Sequence, residues 1–226
     1  MHQMFCLFGR QAGYFYPYIY DCNEFATIQA YTKGLQLPCY GLLIMHRQYL
    51  LTQLNAYYTH DKQERVMHAQ TLAFVERSKD VFKNWNPEGH ITGSAWVLDN
   101  DYRHVLLTHH KKLNQWFQLG GHSDGNPETF QVAQREAMEE SGLRDINAPN
   151  EMIFDIDIHT IPARKGEPEH LHYDIRFLFE ADRHTPLQLS DESHALAWVA
   201  LDQVSEKTND PSILRMVKKT LALKTT

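Results

Sequence analysis

The segment GGHSDGNPETFQVAQREAMEESGL, residues 120–143, restricts the local structure of this chain more than any other stretch. Asn126 can cap a helix, and Pro127 at the next position suits the first helical turn. Gly142 stands where a residue in the left-handed conformation commonly ends a helix. The segment therefore predicts a glycine turn that leads into one helix over residues 127–141.

Three glutamates of this predicted helix share one face, because Glu136, Glu139 and Glu140 fall within an arc of about 100°. Carboxylates that lie so close raise one another's pKa. Arg135 can pair with Glu139 one turn later, but a single arginine does not neutralise three carboxylates. A divalent cation would relieve the remaining repulsion, and a site made only of oxygen ligands suits Mg²⁺ or Mn²⁺.

A solvated acidic helix face without any metal is the alternative interpretation of these carboxylates. The pair Gly120 and Gly121 ahead of the helix favours a site, because glycine lets the backbone approach a ligand closely and can aim a carbonyl at a metal. The sequence alone leaves both interpretations open at this point.

The whole segment resembles the Nudix box, the signature Gly-x5-Glu-x7-Arg-Glu-U-x-Glu-Glu-x-Gly-U, in which U is a bulky aliphatic residue. The positions that agree in register are Gly121, Arg135, Glu136, Glu139, Glu140, Gly142 and Leu143. Ala137 takes the first aliphatic position as a small substitute. Pro127 replaces the first glutamate of the box, with Glu128 one step later. In the family that glutamate supports the loop, so the departure bears more on loop stability than on catalysis.

The resemblance implies an enzyme, a Mg²⁺-dependent pyrophosphohydrolase that cleaves a diphosphate linkage in a nucleoside-diphosphate-linked small molecule. Glu136, Glu139, Glu140 and the carbonyl of Gly120 would hold one or more Mg²⁺ ions, with Mn²⁺ as the alternative. Arg135 would belong to the catalytic machinery by orienting these carboxylates. Bound metal would bridge the diphosphate and lower the pKa of an attacking water.

The resemblance also implies a further acidic residue from the loop before the last strand. Glu192, six residues before Trp198, has the spacing of such a metal ligand or base. Arg164 and Lys165 lie in another loop and could clamp a phosphate. An idle solvated carboxylate and ordinary loop charges are the alternatives for these residues.

Four further side chains are candidates for substrate binding. His122 directly follows the glycine pair and could contact a phosphate. His170, His172 and Asp174 alternate along a predicted strand and therefore share one face, which can line the substrate cleft in the Nudix fold. A turn histidine and a solvent-facing strand are the corresponding structural alternatives.

The remaining pattern predicts an α/β fold. Strands are expected at residues 94–98, 104–108, 116–119, 152–161, 171–180 and 196–201, and a helix capped by Asp210 begins near Pro211. This order resembles the Nudix α/β/α sandwich with a mixed sheet, here over residues 90–226. A resemblance to a bacterial Nudix subgroup without an assigned substrate is carried by the stretches GHITGSAWVLD, WFQLGGHSDG, IHTIPARKGEPEHLHYDIRFLFEA and SDESHALAWV.

Residues 45–89 are expected to form an N-terminal helical extension, because apolar residues recur there at helical spacing up to Val81 and Phe82. Asp61 and Glu64 resemble a capping box in form. Residues 1–44 hold all three cysteines, ten aromatics and few charges, without a sustained period. They are either an aromatic-rich extension that packs on the body or part of an over-long gene model in which Met45 is the natural start.

Charge and hydropathy exclude several classes of function. The net charge of −6 argues against broad binding of a nucleic-acid backbone. No apolar run approaches the roughly 18 residues of a membrane span, and no secretory signal is visible at the N-terminus. We therefore expect a cytoplasmic protein with reduced thiols and no membrane or nucleic-acid partner. The resemblance is also compatible with a homodimer.

Two other functions fit a Nudix fold in principle. A non-catalytic ligand sensor commonly lacks some box carboxylates, whereas all three are present here. An isoprenyl diphosphate isomerase would need a cysteine and a glutamate as a proton-transfer pair, but Cys6, Cys22 and Cys39 all precede the predicted core. Both alternatives therefore rank behind the hydrolase.

Overall fold

A computed structural model describes residues 8–11, 14–17, 39–164, 166 and 168–223. Contacts divide the chain into two compact units, Met1–Leu42 and Leu43–Thr226. In the first unit, strands β1 (Phe8–Gln11) and β2 (Tyr14–Pro17) pair antiparallel. The two alternatives for residues 1–44 fall largely outside the described residues and stay predictions.

Two helices form in the predicted helical extension, α1 (Cys39–Ala56) and α2 (Lys62–Arg77). Asp61 caps α2 as expected, since its carboxylate accepts a hydrogen bond from the backbone N–H of Glu64 at 2.9 Å. The predicted helical period over Val81 and Phe82 was wrong, because α2 ends at Arg77 and these residues lie in a turn. Both side chains are buried, so a helix-like spacing of apolar residues arises there from core packing alone.

A mixed sheet of seven strands forms the centre of the second unit. The strands are β3 (Gly89–Asp99), β4 (His104–His110), β5 (Gln115–Phe117), β6 (Leu119–His122), β7 (Ile153–Ile161), β8 (His170–Ala181) and β9 (Ser193–Ala200). The main path runs β5-β4-β3-β8-β7, while β6 pairs with β3 and β9 pairs with β4. The β3–β8 pairing is parallel and the other pairings of this sheet are antiparallel. Every residue of β3 is buried, as befits its central position.

Helices cover both faces of the sheet. Residues of α1, α2 and α3 (Thr129–Ser141) pack with one face of β3 and β8 in a single apolar cluster. A second apolar cluster lies on the other face. Its helical residues come from a 3₁₀ turn (Leu201–Gln203), α4 (Val204–Lys207) and α5 (Pro211–Leu223). This arrangement confirms the predicted α/β/α sandwich with a mixed sheet. None of the described helices combines the length and the apolarity that crossing a membrane requires.

The helix that carries the glutamates starts later than predicted. Asn126 does not cap it; its side chain instead accepts a hydrogen bond from the N–H of Glu128 at 3.0 Å, and α3 begins at Thr129. The loop before α3 is fixed by tertiary contact, since Gly125 N–H donates to the carbonyl of Phe82 at 2.7 Å. The C-terminal end matches the prediction, because Gly142 has a φ of +72°.

Asp210 caps α5 as predicted, accepting a hydrogen bond from Ser212 N–H at 2.8 Å. Four charged side chains of α2, β7 and α5 join the helical extension to the sheet. Lys219 Nζ lies 2.6 Å from Glu64 Oε1 and 2.8 Å from Asp155 Oδ2. Arg215 makes two hydrogen bonds to the same Asp155 carboxylate, at 2.7 and 2.9 Å. Glu64 and Asp155 are fully buried, so each depends on these cations.

Candidate active site

The two glycines of β6 bring backbone into close contact with α3 and β3. A Cβ atom at Gly121 would lie 2.5 Å from Cδ of Glu136, and one at Gly120 would lie 2.3 Å from Oγ of Ser94. A side chain at Gly120 would collide with the backbone of Ser94, and one at Gly121 would displace the Glu136 carboxylate. The glycine pair predicted from the sequence therefore allows the Glu136 carboxylate to pack directly against the strand.

The three box carboxylates occupy different environments on α3. Glu140 is only 7% exposed, and its Oε2 accepts a hydrogen bond from Gly120 N–H at 3.2 Å. The Glu136 carboxylate is mostly buried, whereas that of Glu139 is exposed. Arg135 bridges the latter two, with contacts of 2.7 Å to Glu136 Oε1 and 3.0 Å to Glu139 Oε2.

Arg135 also donates a hydrogen bond to the backbone carbonyl of His122, at 3.3 Å. The guanidinium thus ties the helix to the residue that follows the glycine pair. The sequence predicted only its contact with Glu139; the bridging contact with Glu136 uses the neighbouring position and the fixed fork of the guanidinium.

Burial and mutual repulsion disfavour the charged forms of the inner carboxylates. Burial raises the pKa of Glu140 to about 8, and the charges of Glu136 and Glu192 act in the same direction. Burial also raises the pKa of Glu136, an effect that the Arg135 charge opposes. Glu192, which the family resemblance implies as a further acidic residue of the site, therefore lies within electrostatic reach of Glu136 and Glu140.

The donor set fits a hard divalent cation. Within the described part of the chain, Glu140 has one hydrogen-bond donor and no ion pair, although its carboxylate is almost completely buried. A buried carboxylate normally needs a cation or several donors to stay ionised. Three carboxylates, which offer only oxygen atoms, form a donor set that suits Mg²⁺ or Mn²⁺.

The loop before β9 carries Glu192 and is fastened to the end of β4. Lys111 N–H donates to the Glu192 carbonyl at 2.9 Å, and Lys111 Nζ donates to the Asp191 carbonyl at 2.7 Å. Burial lowers the pKa of His110. The charge of Glu192 opposes this shift, whereas the charge of Arg164 adds to it. Arg164 is exposed and, like Glu192, lies within electrostatic reach of His110, while Lys165 lies outside the described residues.

The predicted histidines come together with one that the sequence did not single out. His122, His170 and His172 surround His90, whose ring centroid lies 5.1, 5.1 and 4.6 Å from theirs. His90 was missed because the predicted strand began only at residue 94, whereas β3 begins at Gly89. Its position opposite His172 results from parallel pairing of strands far apart in the chain.

Asp174 shares a strand face with His170 and His172 as predicted, but it is not available to a substrate. It is 1% exposed, and its two oxygens accept hydrogen bonds from four side chains. These donors are Thr92, Ser94, Gln118 and Arg176, at 2.8, 2.8, 3.1 and 2.7 Å. The carboxylate instead fixes β8 to β3 and to the segment before the glycine pair.

Comparison with known proteins yields one family. The family model described as NUDIX domain matches residues 88–220 of the chain. None of the curated proteins is a significant match.

Similar solved structures include an Ap4A hydrolase of C. elegans, at 16% identity and a TM-score of 0.48, covering 60% of this chain and 97% of that one. A hydrolase of the NUDIX family from Clostridium perfringens is 25% identical, with a TM-score of 0.43 and coverage of 59% and 97%. The E. coli dihydroneopterin triphosphate pyrophosphohydrolase is 13% identical, with a TM-score of 0.46 and coverage of 57% and 92%.

Proposed function

Because the chain belongs to the Nudix family, we propose that it is a pyrophosphohydrolase that uses Mg²⁺ to cleave a diphosphate linkage in a nucleoside-diphosphate-linked substrate. The observation that carries this proposal is the carboxylate of Glu140. It is buried on α3 against Gly120, and no cationic side chain among the described residues forms an ion pair with it. A cytoplasmic location and a homodimer stay predictions.

Glu136, Glu139 and Glu140, with the carbonyl of Gly120, would hold the metal. Bound Mg²⁺ would neutralise charge on the diphosphate and make a bound water more acidic. The protein's own contribution is preorganisation: Arg135 holds two of the carboxylates, and Gly121 leaves space for one of them. Such fixed groups need little reorganisation when charge develops in the transition state.

Glu192 is proposed as the acceptor of the proton from the attacking water, or as a further metal ligand. Glu192 is exposed, and within the described part of the chain no ion pair neutralises it. The hydrogen bond between Lys111 and its carbonyl holds the loop in place. A general base must reach the proton that it removes, and electrostatic coupling to Glu136 and Glu140 supports that proximity.

Substrate contacts are proposed for three histidines and one arginine. His122 follows the glycine pair directly, and His170 and His172 lie against the same group of rings. Arg164 could provide a charged contact to phosphate from its exposed loop. Asp174 would act indirectly, by fixing Ser94 and Gln118 beside the glycine strand.

Substitution of the box glutamates tests the metal assignment. We expect Glu139→Gln and Glu140→Gln each to lower turnover of a diphosphate substrate by at least about 10²-fold, since each removes charge that stabilises the transition state. Glu128→Gln is the matched control, because this residue precedes α3 and lies outside the box register. Near-normal turnover in both box variants would refute the assignment, and tight binding without turnover in the parent protein would favour the sensor alternative.

A further inference from the structure

A group of imidazoles lies on two neighbouring strands of the sheet. His90 on β3 is the register partner of His172 on β8, and His170 precedes His172 by two residues on the same face. One ring nitrogen from each of these three histidines lies within 4.8 Å of the other two. The backbone pairing of β3 and β8 therefore holds three nitrogen donors around one point.

The inner rings of this group have no hydrogen-bond partners. His90 is 1% exposed, yet both of its ring nitrogens lack a partner, and so does Nε2 of His172. Leaving a buried polar atom unpaired costs roughly 1–3 kcal/mol, so folded proteins seldom retain several of them in one place. A ligand that accepts nitrogen lone pairs would account for Nε2 of His172 and for one of the two nitrogens of His90, since a neutral imidazole has one lone pair to donate.

The third ring is oriented as a metal ligand would be. His170 Nδ1 lies 2.9 Å from the carbonyl of Pro168. Because a carbonyl only accepts, Nδ1 must carry the proton, which leaves a lone pair on Nε2. A histidine that binds a metal through one nitrogen usually donates its other N–H to a carbonyl or carboxylate in this way.

The surroundings keep the rings in the neutral form that binds metals. The ring centroids of His122 and His159 lie 5.1 and 5.4 Å from that of His172. Burial lowers the pKa of His90 to about 4 and that of His172 to about 2, and the neighbouring imidazoles add to this effect. No described carboxylate belongs to the trio, so its donor set is purely nitrogen.

We propose that His90, His170 and His172 bind one transition-metal ion of the Zn²⁺ class. Imidazole nitrogen suits Zn²⁺, Co²⁺, Ni²⁺ and Cu²⁺, whereas Mg²⁺ prefers oxygen. Tetrahedral Zn²⁺ with bonds of about 2.0–2.1 Å would bring the nitrogens to about 3.3 Å from one another. Small ring rotations from the present arrangement, in which the atoms lie within 4.8 Å, would close that gap.

This nitrogen site differs in chemistry from the carboxylate site and does not depend on it. Three histidine ligands leave a fourth position for water or for a group of the substrate. The strand Gly121–His122 connects the two places, since Gly121 contacts Glu136 and the ring of His122 lies beside His90. An ion here would therefore be adjacent to the carboxylates yet selected by different ligands.

Metal titration of the full-length, chelator-treated protein tests the site. Cu²⁺ serves as the spectroscopic probe, because electron paramagnetic resonance detects directly bound nitrogen, and Zn²⁺ serves as its competitor. The parent protein should bind one equivalent with a nitrogen signature that Zn²⁺ displaces. His172→Ala should weaken binding by at least about 10²-fold, since loss even of a supporting contact costs 10–100-fold.

Two controls make the test specific. His184→Ala changes an exposed histidine in the loop after β8 and should bind like the parent. Glu140→Gln disables the proposed Mg²⁺ site and should leave Cu²⁺ and Zn²⁺ binding intact, which separates a failure here from a failure of the proposed hydrolase. If His172→Ala does not fold, His170→Ala replaces it, because the hydrogen bond of His170 to the Pro168 carbonyl is exposed, whereas Nε2 of His172 is buried.

The proposal is overturned if the parent protein binds no Cu²⁺ or Zn²⁺, or if binding survives loss of His172 or His170. It is equally overturned if Glu140→Gln abolishes binding, since the ion would then occupy the carboxylate site. A histidine variant that changes KM for substrate without changing metal binding would assign the rings to substrate contact instead.

Discussion

Gly121→Ala adds a single methyl group at the point where the strand meets a box carboxylate. The new Cβ would lie 2.5 Å from Cδ of Glu136 and 2.6 and 2.7 Å from its oxygens. The φ of Gly121 is not among the positive values, so alanine can adopt this backbone conformation. The substitution therefore acts on the carboxylate and not through backbone strain.

The displacement follows from the contact distance. Non-bonded carbon atoms settle at about 3.5 Å, so the Glu136 carboxylate must retreat by about 1 Å. Misplacement of a reacting group by about 1 Å can cost on the order of 10²-fold in rate, or about 2.7 kcal/mol in activation free energy. We expect Gly121→Ala to lose turnover by this factor, while its melting temperature changes little.

Initial rates with Mg²⁺ and a diphosphate substrate, together with thermal unfolding, provide the assay. Gly125→Ala is the control, since it introduces a positive-φ alanine in the loop that follows this strand but meets only the movable end of Lys83. The control should lose stability and keep most of its turnover. Parent-like turnover in Gly121→Ala would refute the role given to this contact between glycine and carboxylate.

Two further predictions concern stability. Folding raises the pKa of Glu140 from 4.5 to about 8, so in protein freed of metal by a chelator, unfolding between about pH 5 and 8 releases its proton. The free energy of unfolding should therefore fall as pH rises through this window. Melting temperatures measured against pH should show a smaller fall in Glu140→Gln. A parallel pH dependence of the two proteins would contradict this. Arg215→Met removes the guanidinium that makes two hydrogen bonds to the buried carboxylate of Asp155. The free energy of unfolding, measured with urea, should fall by about 3–5 kcal/mol. A fall below about 1 kcal/mol would show that the network does not depend on Arg215.

Local spacing made the carboxylate site predictable. Glu136, Glu139 and Glu140 share a face by helix geometry alone, and the glycine pair precedes them at a fixed distance in the sequence. The start of α3 was not predictable in this way, because a contact between Gly125 and Phe82 decides where the loop turns into helix. Local capping rules do not include such a contact.

Pairing between strands that are distant in the chain was the other feature that the sequence could not predict. His90 lies next to His172 only because β3 and β8 are parallel neighbours. No local sequence pattern predicts the register of that pairing. Alternation placed Asp174 on the correct face but did not show that β3 and Arg176 bury it. Glu64 resembled half of a capping box, yet its carboxylate pairs with Lys219 far along the chain.

The most direct test of the central claim is hydrolysis of a panel of nucleoside-diphosphate compounds in isotopically labelled water, with Mg²⁺ and with chelator, by the parent protein and by Glu140→Gln. The account predicts Mg²⁺-dependent cleavage that places the label on a product phosphate and that Glu140→Gln loses. Cleavage that continues without divalent metal, or that Glu140→Gln retains at the parent rate, would contradict it.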